Sequence, residues 1–211
     1  MEYSAVVLCA GKGKRTGLDY NKMLYKMNEH TVFENTMHVF LNDQRCTQIV
    51  VVTTEEERDI FKQLVKDERI VYTKGGKERQ DSVYNGLKKV TNEYVMIHDG
   101  ARPYLTQNSL DALCESLEEH DACLLMVPSK DTVKEVVDGK VIRTLKRENL
   151  MQAQTPQGFK TCVVLDAYTK GINANYMATD DAQMVEVFSD TKVYAVMGDY
   201  NNKKITTVED L

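Results

Sequence analysis

The stretch that most constrains this chain runs from Val6 to Lys22. Val6-Val7-Leu8-Cys9-Ala10 leads into Gly11-Lys12-Gly13-Lys14-Arg15-Thr16-Gly17, and Lys22 follows after four intervening residues. An apolar run that enters a glycine-rich, basic segment is how a buried parallel strand delivers its carboxyl end to a phosphate-binding loop. Gly11, Gly13 and Gly17 let backbone N–H groups close around phosphate oxygens where a Cβ would intrude. Lys12, Lys14, Arg15 and Lys22 add four positive charges within eleven residues, a density that suits a triphosphate.

Two familiar glycine loops fail here. The dinucleotide fingerprint G-x-G-x-x-G needs a glycine where Thr16 stands. The ATPase loop G-x-x-x-x-G-K-[ST] needs that same glycine, followed by a lysine where Gly17 stands. What remains, A-G-x-G-x-R-x-G with a lysine shortly after, resembles the signature loop of sugar and alditol phosphate nucleotidyltransferases. A tight strand-to-helix turn with solvated lysines is the plainer alternative.

The basic loop is local, because the whole chain carries 27 Lys+Arg against 32 Asp+Glu, a formal net charge of -5. That balance argues against a general nucleic-acid or membrane-surface binder. The 211 residues suit one α/β domain with a core of ordinary size. Five scattered cysteines without a C-x-x-C pair read as reduced thiols, and the four histidines have no metal-ligand spacing. Nothing after Met1 reads as a signal peptide, and no apolar run approaches the roughly twenty residues of a membrane span. The expected location is cytoplasmic.

Beyond the loop, strands and helices alternate. Thr31 with Glu34 makes a capping box, with Phe33, Met37, Phe40 and Leu41 on one helical face. Ile49 to Thr53 reads as a strand, Thr54 with Glu57 as a second capping box opening a helix to about Val65, and Ile70 to Thr73 as a strand. This predicts parallel crossovers in a doubly wound, mostly parallel, Rossmann-like sheet flanked by helices, with ligands above the strands' carboxyl ends. Lys74-Gly75-Gly76-Lys77-Glu78-Arg79 precedes a helix containing Ser82, Val83 and Leu87, and the paired glycines would let a flat base approach the backbone or simply make a turn. Tyr94-Val95-Met96-Ile97 is a buried strand ending in His98-Asp99-Gly100-Ala101-Arg102-Pro103. Asp99, opposite a phosphate loop, is placed to hold a hard divalent cation or to cap the next turn.

A helix follows from Asn108 to Glu119, and Ala122 to Val127 is another core strand. The alternation then breaks: residues 130–136 and 140–144 flank Asp138-Gly139, a strong hairpin signal. An isolated two-stranded hairpin is marginal in water. It is expected to project from the sheet as an arm at about 130–150 and to pack on the same element of a second subunit. Residues 151–157 read as a short strand and turn, Thr161 to Lys170 as a helix, and Thr179 as the cap of a helix with Asp180 and Asp181 in its first turn. Lys192 to Met197 is a late strand. Without repeats, low-complexity segments or linkers, residues 1–211 read as a single domain plus that arm.

Several separated blocks now agree in order and spacing. Ala10 to Gly17, Asn21-Lys22-Met23, Gly75 to Arg79 with Ser82-Val83, His98 to Pro103, Asp131-Thr132 with Lys134, Gln154 to Gln157, Thr179 to Asp181, and Asn202 to Thr207 with Glu209-Asp210-Leu211 together resemble the 2-C-methyl-D-erythritol 4-phosphate cytidylyltransferase family. The resemblance covers nearly the whole chain. It implies an enzyme that joins CTP to methylerythritol phosphate, releases pyrophosphate, uses Mg2+ and forms a homodimer through the hairpin arm. It gives Arg15, Lys22 and Lys204 the catalytic task at the triphosphate. Ala10, Gly11, Gly13, Gly76, Ser82 and Asp99 match nucleotide-binding positions, with Asp99 also the metal holder. Arg102, Asp131, Thr132, Arg147 and Thr179 match contacts to methylerythritol phosphate, with Arg147 and the arm reaching into the neighbour's site.

The sequence departs from the family where Thr16 replaces a usual Met, where Asn21 and Met23 flank Lys22 in place of Pro and Gln, and where Lys203 replaces an apolar residue. Lys204 is preferred over Lys203 because Ile205-Thr206 follows it in register. Members usually continue past the position of Leu211 into a terminal helix, so the resemblance implies a longer chain than this one.

The residue types agree with that chemistry on their own terms. A phosphate monoester oxygen is already ionised near neutral pH, so no histidine or serine base is required. The task is to hold two polyanions together and neutralise charge at an in-line phosphorus. The rival readings are ribitol-5-phosphate cytidylyltransferase, against which Ala101 is a slim discriminator, a non-catalytic nucleotide-binding dimer, and, at fold level, a nicotinamide-linked dehydrogenase.

Overall fold

The computed structural model describes residues 1–11 and 17–210. Gly13 and Arg15 therefore lie outside the described residues. The apolar run at the amino terminus forms β1 (Tyr3–Leu8), and its side chains alternate between two buried layers. Tyr3, Ala5 and Val7 face one layer and Val6 the other, so both faces of the strand are covered. Burial on two sides explains an uninterrupted apolar sequence where a half-exposed strand would alternate.

A short 3-10 turn at Lys22–Leu24 and a small hairpin of β2 (Lys26–Met27) and β3 (His30–Thr31) lead to α1 (Val32–Asn42). The Thr31–Glu34 capping box forms in both directions. β4 (Cys46–Thr53) follows, then α2 (Arg58–Leu64), β5 (Ile70–Lys74), α3 (Arg79–Leu87) and β6 (Tyr94–Asp99). The second expected capping box is only half made. Glu57 donates its N–H to Thr54 Oγ1, but its carboxylate takes the Thr54 hydroxyl and Asn21 Nδ2, so residues 55–57 are a turn and the helix starts at Arg58.

α4 (Gln107–Glu119), β7 (Ala122–Pro128), the arm strands β8 (Lys134–Val137) and β9 (Lys140–Thr144), β10 (Met151–Lys160), α5 (Thr161–Asn173), α6 (Asp181–Phe188) and β11 (Tyr194–Met197) complete the chain. The main sheet has the order β11-β7-β10-β6-β1-β4-β5. β1 pairs in parallel with both β4 and β6, while β10 runs antiparallel between β6 and β7. Helices α1, α2 and α4 supply one buried layer, and α3, α5 and α6 the other. The strand order reverses beside β1, and the crevice outside the carboxyl ends of β1 and β6 is where such a sheet binds ligands.

Three sequence expectations change. Residues 151–157 belong to one ten-residue strand; its ladder with β7 skips from Ala153 to Gln157, around the cis Thr155–Pro156 bond, so a proline fits inside a central strand. The cap of α6 is Asp180, whose carboxylate accepts the Gln183 N–H; Thr179 instead directs its own N–H and hydroxyl to Gln183 Oε1. The late strand starts at Tyr194. The hairpin takes its expected form, with Asp138 at φ 48 and Gly139 at φ 75, the positive pair that a two-residue primed turn demands. No helix of the described residues is long and apolar enough to cross a membrane.

Candidate active site

The β1–β6 register places Leu8 opposite Asp99, and the Gly100 N–H bonds to Leu8 O, so the two strands end together. Gly100 has no room for a side chain: a Cβ there would stand 2.6 Å from Leu8 O. At the return of the basic loop, buried Asn21 accepts the Met23 N–H and donates to Cys9 O and Glu57. That side chain fixes Lys22 beside the end of β1. Lys22 Nζ donates to Ile205 O at 2.6 Å, joining residues 183 apart in sequence. One residue before Ile205, Lys204 Nζ lies 2.7 Å from Asp99 Oδ2. The chain's two ends thus bring two lysines to one carboxylate-bearing edge.

Asp99 is 7% exposed, and its other oxygen accepts Arg79 Nε at 3.1 Å. Burial alone would raise its pKa, but Arg79 and then Lys204 outweigh it and hold the carboxyl well below the usual carboxylate range. Burial likewise opposes the charge on Arg79, and Asp181 and Asp99 overcome it, so the guanidinium stays protonated. The backbone at Asp99 is ordered by a directional chain. A carbonyl only accepts, so His98 Nε2 donates to Arg102 O; Nδ1 is then the acceptor for the Thr155 hydroxyl, which in turn accepts the Asp99 N–H. Burial pushes the fully enclosed His98 down to about 4, which keeps it neutral in this role.

A cleft of about 640 Å³ opens over this edge. Ala10, Gly11, Lys22, Gly76, Ser82, Asp99 and Lys204 line it, seven of the positions singled out by sequence. Ser82 Oγ accepts the Gly76 N–H at 2.9 Å and donates to Glu78 O, folding the glycine loop down on the helix that follows. Gly75 packs so closely on Ala10 that a Cβ would stand 2.5 Å from Ala10 Cβ, which explains one of the paired glycines without a ligand. Lys203, the alternative to Lys204, is exposed and borders a separate cavity of about 350 Å³ beside Tyr104.

The remaining candidates stand apart from the cleft. Arg102 is next to it, with its N–H on Asp99 O and Nη1 on Asn202 O, and its buried Nε has no partner among the described residues. Asp131, Thr132 and Arg147 are exposed at the arm, where Arg147 Nη1 bonds to Lys130 O, and Thr179 is exposed ahead of α6. None of these four lines the cleft. Arg79, quoted in the G-G-K-E-R block but given no task by sequence, lines it and is the residue that sequence reasoning missed.

Asp99 also defines what cation the cleft suits. Among the described residues no group of three His, Cys, Asp or Glu side chains is arranged around a metal position. A lone ionised carboxylate fits Mg2+, which takes one or two carboxylates and completes its shell with substrate phosphates and water.

Over residues 3–211 the chain matches the family model described as IspD: 2-C-methyl-D-erythritol 4-phosphate cytidylyltransferase. It is 42% identical to the protein of that name from Clostridioides difficile strain 630, over 99% of this chain and 90% of the relative. Identity to the Bacillus thuringiensis strain Al Hakam protein of the same name is 39%, over 99% and 94%. Among solved structures, 4-diphosphocytidyl-2C-methyl-D-erythritol synthase from Anaerococcus prevotii DSM 20548 superposes with a TM-score of 0.90 at 32% identity, covering 99% of this chain and 92% of that one.

Proposed function

The chain belongs to the 2-C-methyl-D-erythritol 4-phosphate cytidylyltransferase family, and from that premise we propose how its residues carry out the transfer. The enzyme is a nucleotidyltransferase that joins CTP and 2-C-methyl-D-erythritol 4-phosphate into 4-diphosphocytidyl-2-C-methyl-D-erythritol and pyrophosphate. The phosphate monoester oxygen attacks the α-phosphorus of CTP, the bond to the bridging oxygen breaks, and pyrophosphate leaves with that electron pair. Lys22 and Lys204, with Arg15 from the basic loop, neutralise the charge that gathers on the phosphorus. Ala10, Gly11, Gly13 and Gly76 offer backbone groups to the nucleotide, and Ser82 holds the Gly76 loop in place.

The observation that carries this reading is the convergence of Lys22 and Lys204 from opposite ends of the chain, each through a hydrogen bond or ion pair shorter than 3 Å, onto the edge that bears Asp99. Mg2+ held by Asp99 and triphosphate oxygens would supply further charge neutralisation. Arg102, next to the cleft, and Thr179, exposed ahead of α6, belong to the acceptor phosphate and its polyol. Asp131, Thr132 and Arg147 are exposed on the arm and do not line their own cleft, which supports a homodimer in which each arm completes the partner's polyol site. The arm carries Val136, Val137, Val141 and Ile142 at 52% to 61% exposure, with Val136 and Val141 paired across the ladder, apolar surface suited to a second copy. A single domain working as such a dimer in the cytoplasm is the whole proposal. The family match does not favour ribitol phosphate as acceptor or a pocket without turnover.

The test offers CTP with methylerythritol phosphate and with ribitol phosphate side by side and measures pyrophosphate. Release with the first alone is expected. Release with ribitol phosphate alone ends the substrate assignment and leaves the phosphorus chemistry standing; release with neither ends both.

A further inference from the structure

Asp181 opens α6 with no exposed surface at all, yet it is ionically engaged. Its Oδ1 and Oδ2 accept Arg79 Nη1 and Nη2, both at 2.8 Å, in a parallel fork that reaches across 102 residues of sequence. The Tyr168 hydroxyl donates to Oδ1 from α5. Gln157 sews the start of α6 to β10, donating to Asp180 Oδ2 and accepting the Ala182 N–H. The carboxylate is therefore held from α3 and α5, with β10 fixing the helix start on either side of it, and the cation it meets in these contacts is Arg79.

An Arg–carboxylate fork whose acid is fully buried is weak evidence of stability, since packed apolar residues of like volume often serve as well or better. Its geometric effect is specific. The guanidinium is planar and rigid, so a fork that holds Nη1 and Nη2 also aims Nε. Nε donates to Asp99 Oδ1. Asp99 thus has two unlike cationic partners: Arg79, tied at three points, and Lys204, a flexible side chain on a loop whose Nζ meets Oδ2.

We propose that Asp181 is a positioning residue for the transfer: by locking Arg79 on Asp99, it lets Lys204 exchange from Asp99 to the incoming phosphate without stranding a buried carboxylate. Without the lock, Arg79 is no longer held at a fixed angle to Asp99, and Lys204 is retained there more firmly against displacement by the incoming phosphate and its Mg2+. The lysine is then withheld from the phosphorus in the transition state, while ground-state binding of CTP by the glycine loop and Lys22 is little affected. This rests on the phosphate role given above to Lys204.

The experiment compares wild type, Asp181→Asn, Arg79→Lys and the double variant, with folding checked by thermal melting and pyrophosphate release followed against CTP and acceptor concentration. Asp181→Asn is expected to lower kcat about tenfold with KM for CTP within about threefold, because the loss is confined to the transition state. On the Arg79→Lys background it should lower kcat by less than about twofold, since the two residues act in series. Two results overturn the inference: a folded Asp181→Asn enzyme whose kcat falls less than about threefold, or full additivity in the double variant. If Asp181→Asn does not fold, Arg79→Lys decides alone, with a folded enzyme of near wild-type kcat overturning it and a kcat-confined loss supporting it. Wild-type enzyme that releases no pyrophosphate would instead indict the functional reading itself.

Discussion

The edge that carries Asp99 and the arm at residues 130–150 are built on opposite terms. At the edge, Lys204, Asp99, Arg79 and Asp181 form a partly buried ionic chain in that order, and the Asp99 backbone is ordered through Thr155 and His98. In the arm, β8 and β9 pair only with each other among the described residues, their ion pair of Arg143 with Glu135 is exposed, and four aliphatic side chains are exposed. The first region is finished by this chain's own residues. The second satisfies its backbone and leaves its apolar surface exposed, which a lone hairpin does at the cost of being marginal in water. Under the proposed function the cytidylyl half of the reaction is encoded within one chain, and the arm is the part of the acceptor half that would need a second copy.

The sharpest way to break that contrast is to remove a cation from the finished edge. Lys22→Ala and Lys204→Ala should each lower turnover at least about a hundredfold, on the scale of losing one preorganised oxyanion donor. Fold stability should change little, because both side chains are partly exposed at the cleft. A folded Lys22→Ala enzyme with near-normal kcat would show that the convergence of the two lysines has no part in the chemistry.

The arm offers the next largest effect. Val141→Glu places a charge on its apolar surface, where Val141 is 61% exposed in the single chain. Sedimentation should show dimerisation weakened by about tenfold or more, as for a residue central to an interface. Turnover should fall at protein concentrations where the dimer is lost, with CTP binding retained because the cleft residues belong to one chain. Unchanged sedimentation would place any partner elsewhere, and loss of CTP binding would show that the two regions are not separable.

The two regions also differed in how far their sequences could be read. The arm was local information: Asp138-Gly139 between alternating strands specifies its own turn, and the positive φ pair follows. β1 was legible for the same reason, and so was Asp99 as a carboxylate at a strand's end, while the catalytic tasks of Lys22 and Lys204 came from the family resemblance. What stayed hidden was pairing over distance. Arg79 at the start of α3 looks like a solvated charge until α6 is packed beside it. A signal did exist, because Asp181 falls three and four residues before Met184 and Val185, on the face that the helix buries, and a carboxylate there requires a cation. Pro156 concealed the length of β10, since a proline argues against a central strand unless the ladder skips it. Thr179 was read as the cap of α6, and the backbone enters the helix one residue later, so that Asp180 takes that place.

The smallest predicted effect separates the regions by pH. His98 is buried with its pKa lowered to about 4, against about 6.5 in the unfolded chain. Between those values the unfolded state binds the proton and the folded state does not, so stability falls as pH falls through that window. Lowering the pH from 7 to 5.5 should cost about 1 kcal/mol through this group. His98→Gln keeps a donor for Arg102 O and an acceptor for the Thr155 hydroxyl but cannot titrate, so its urea-unfolding stability should vary less over the same interval. Val141→Glu, compared with the parent as monomer, should keep the parent's slope, because no buried imidazole lies in the arm. An undiminished slope in His98→Gln would mean that the imidazole is not held neutral by burial, and the directional chain through Thr155 to the Asp99 N–H would then lose its acceptor.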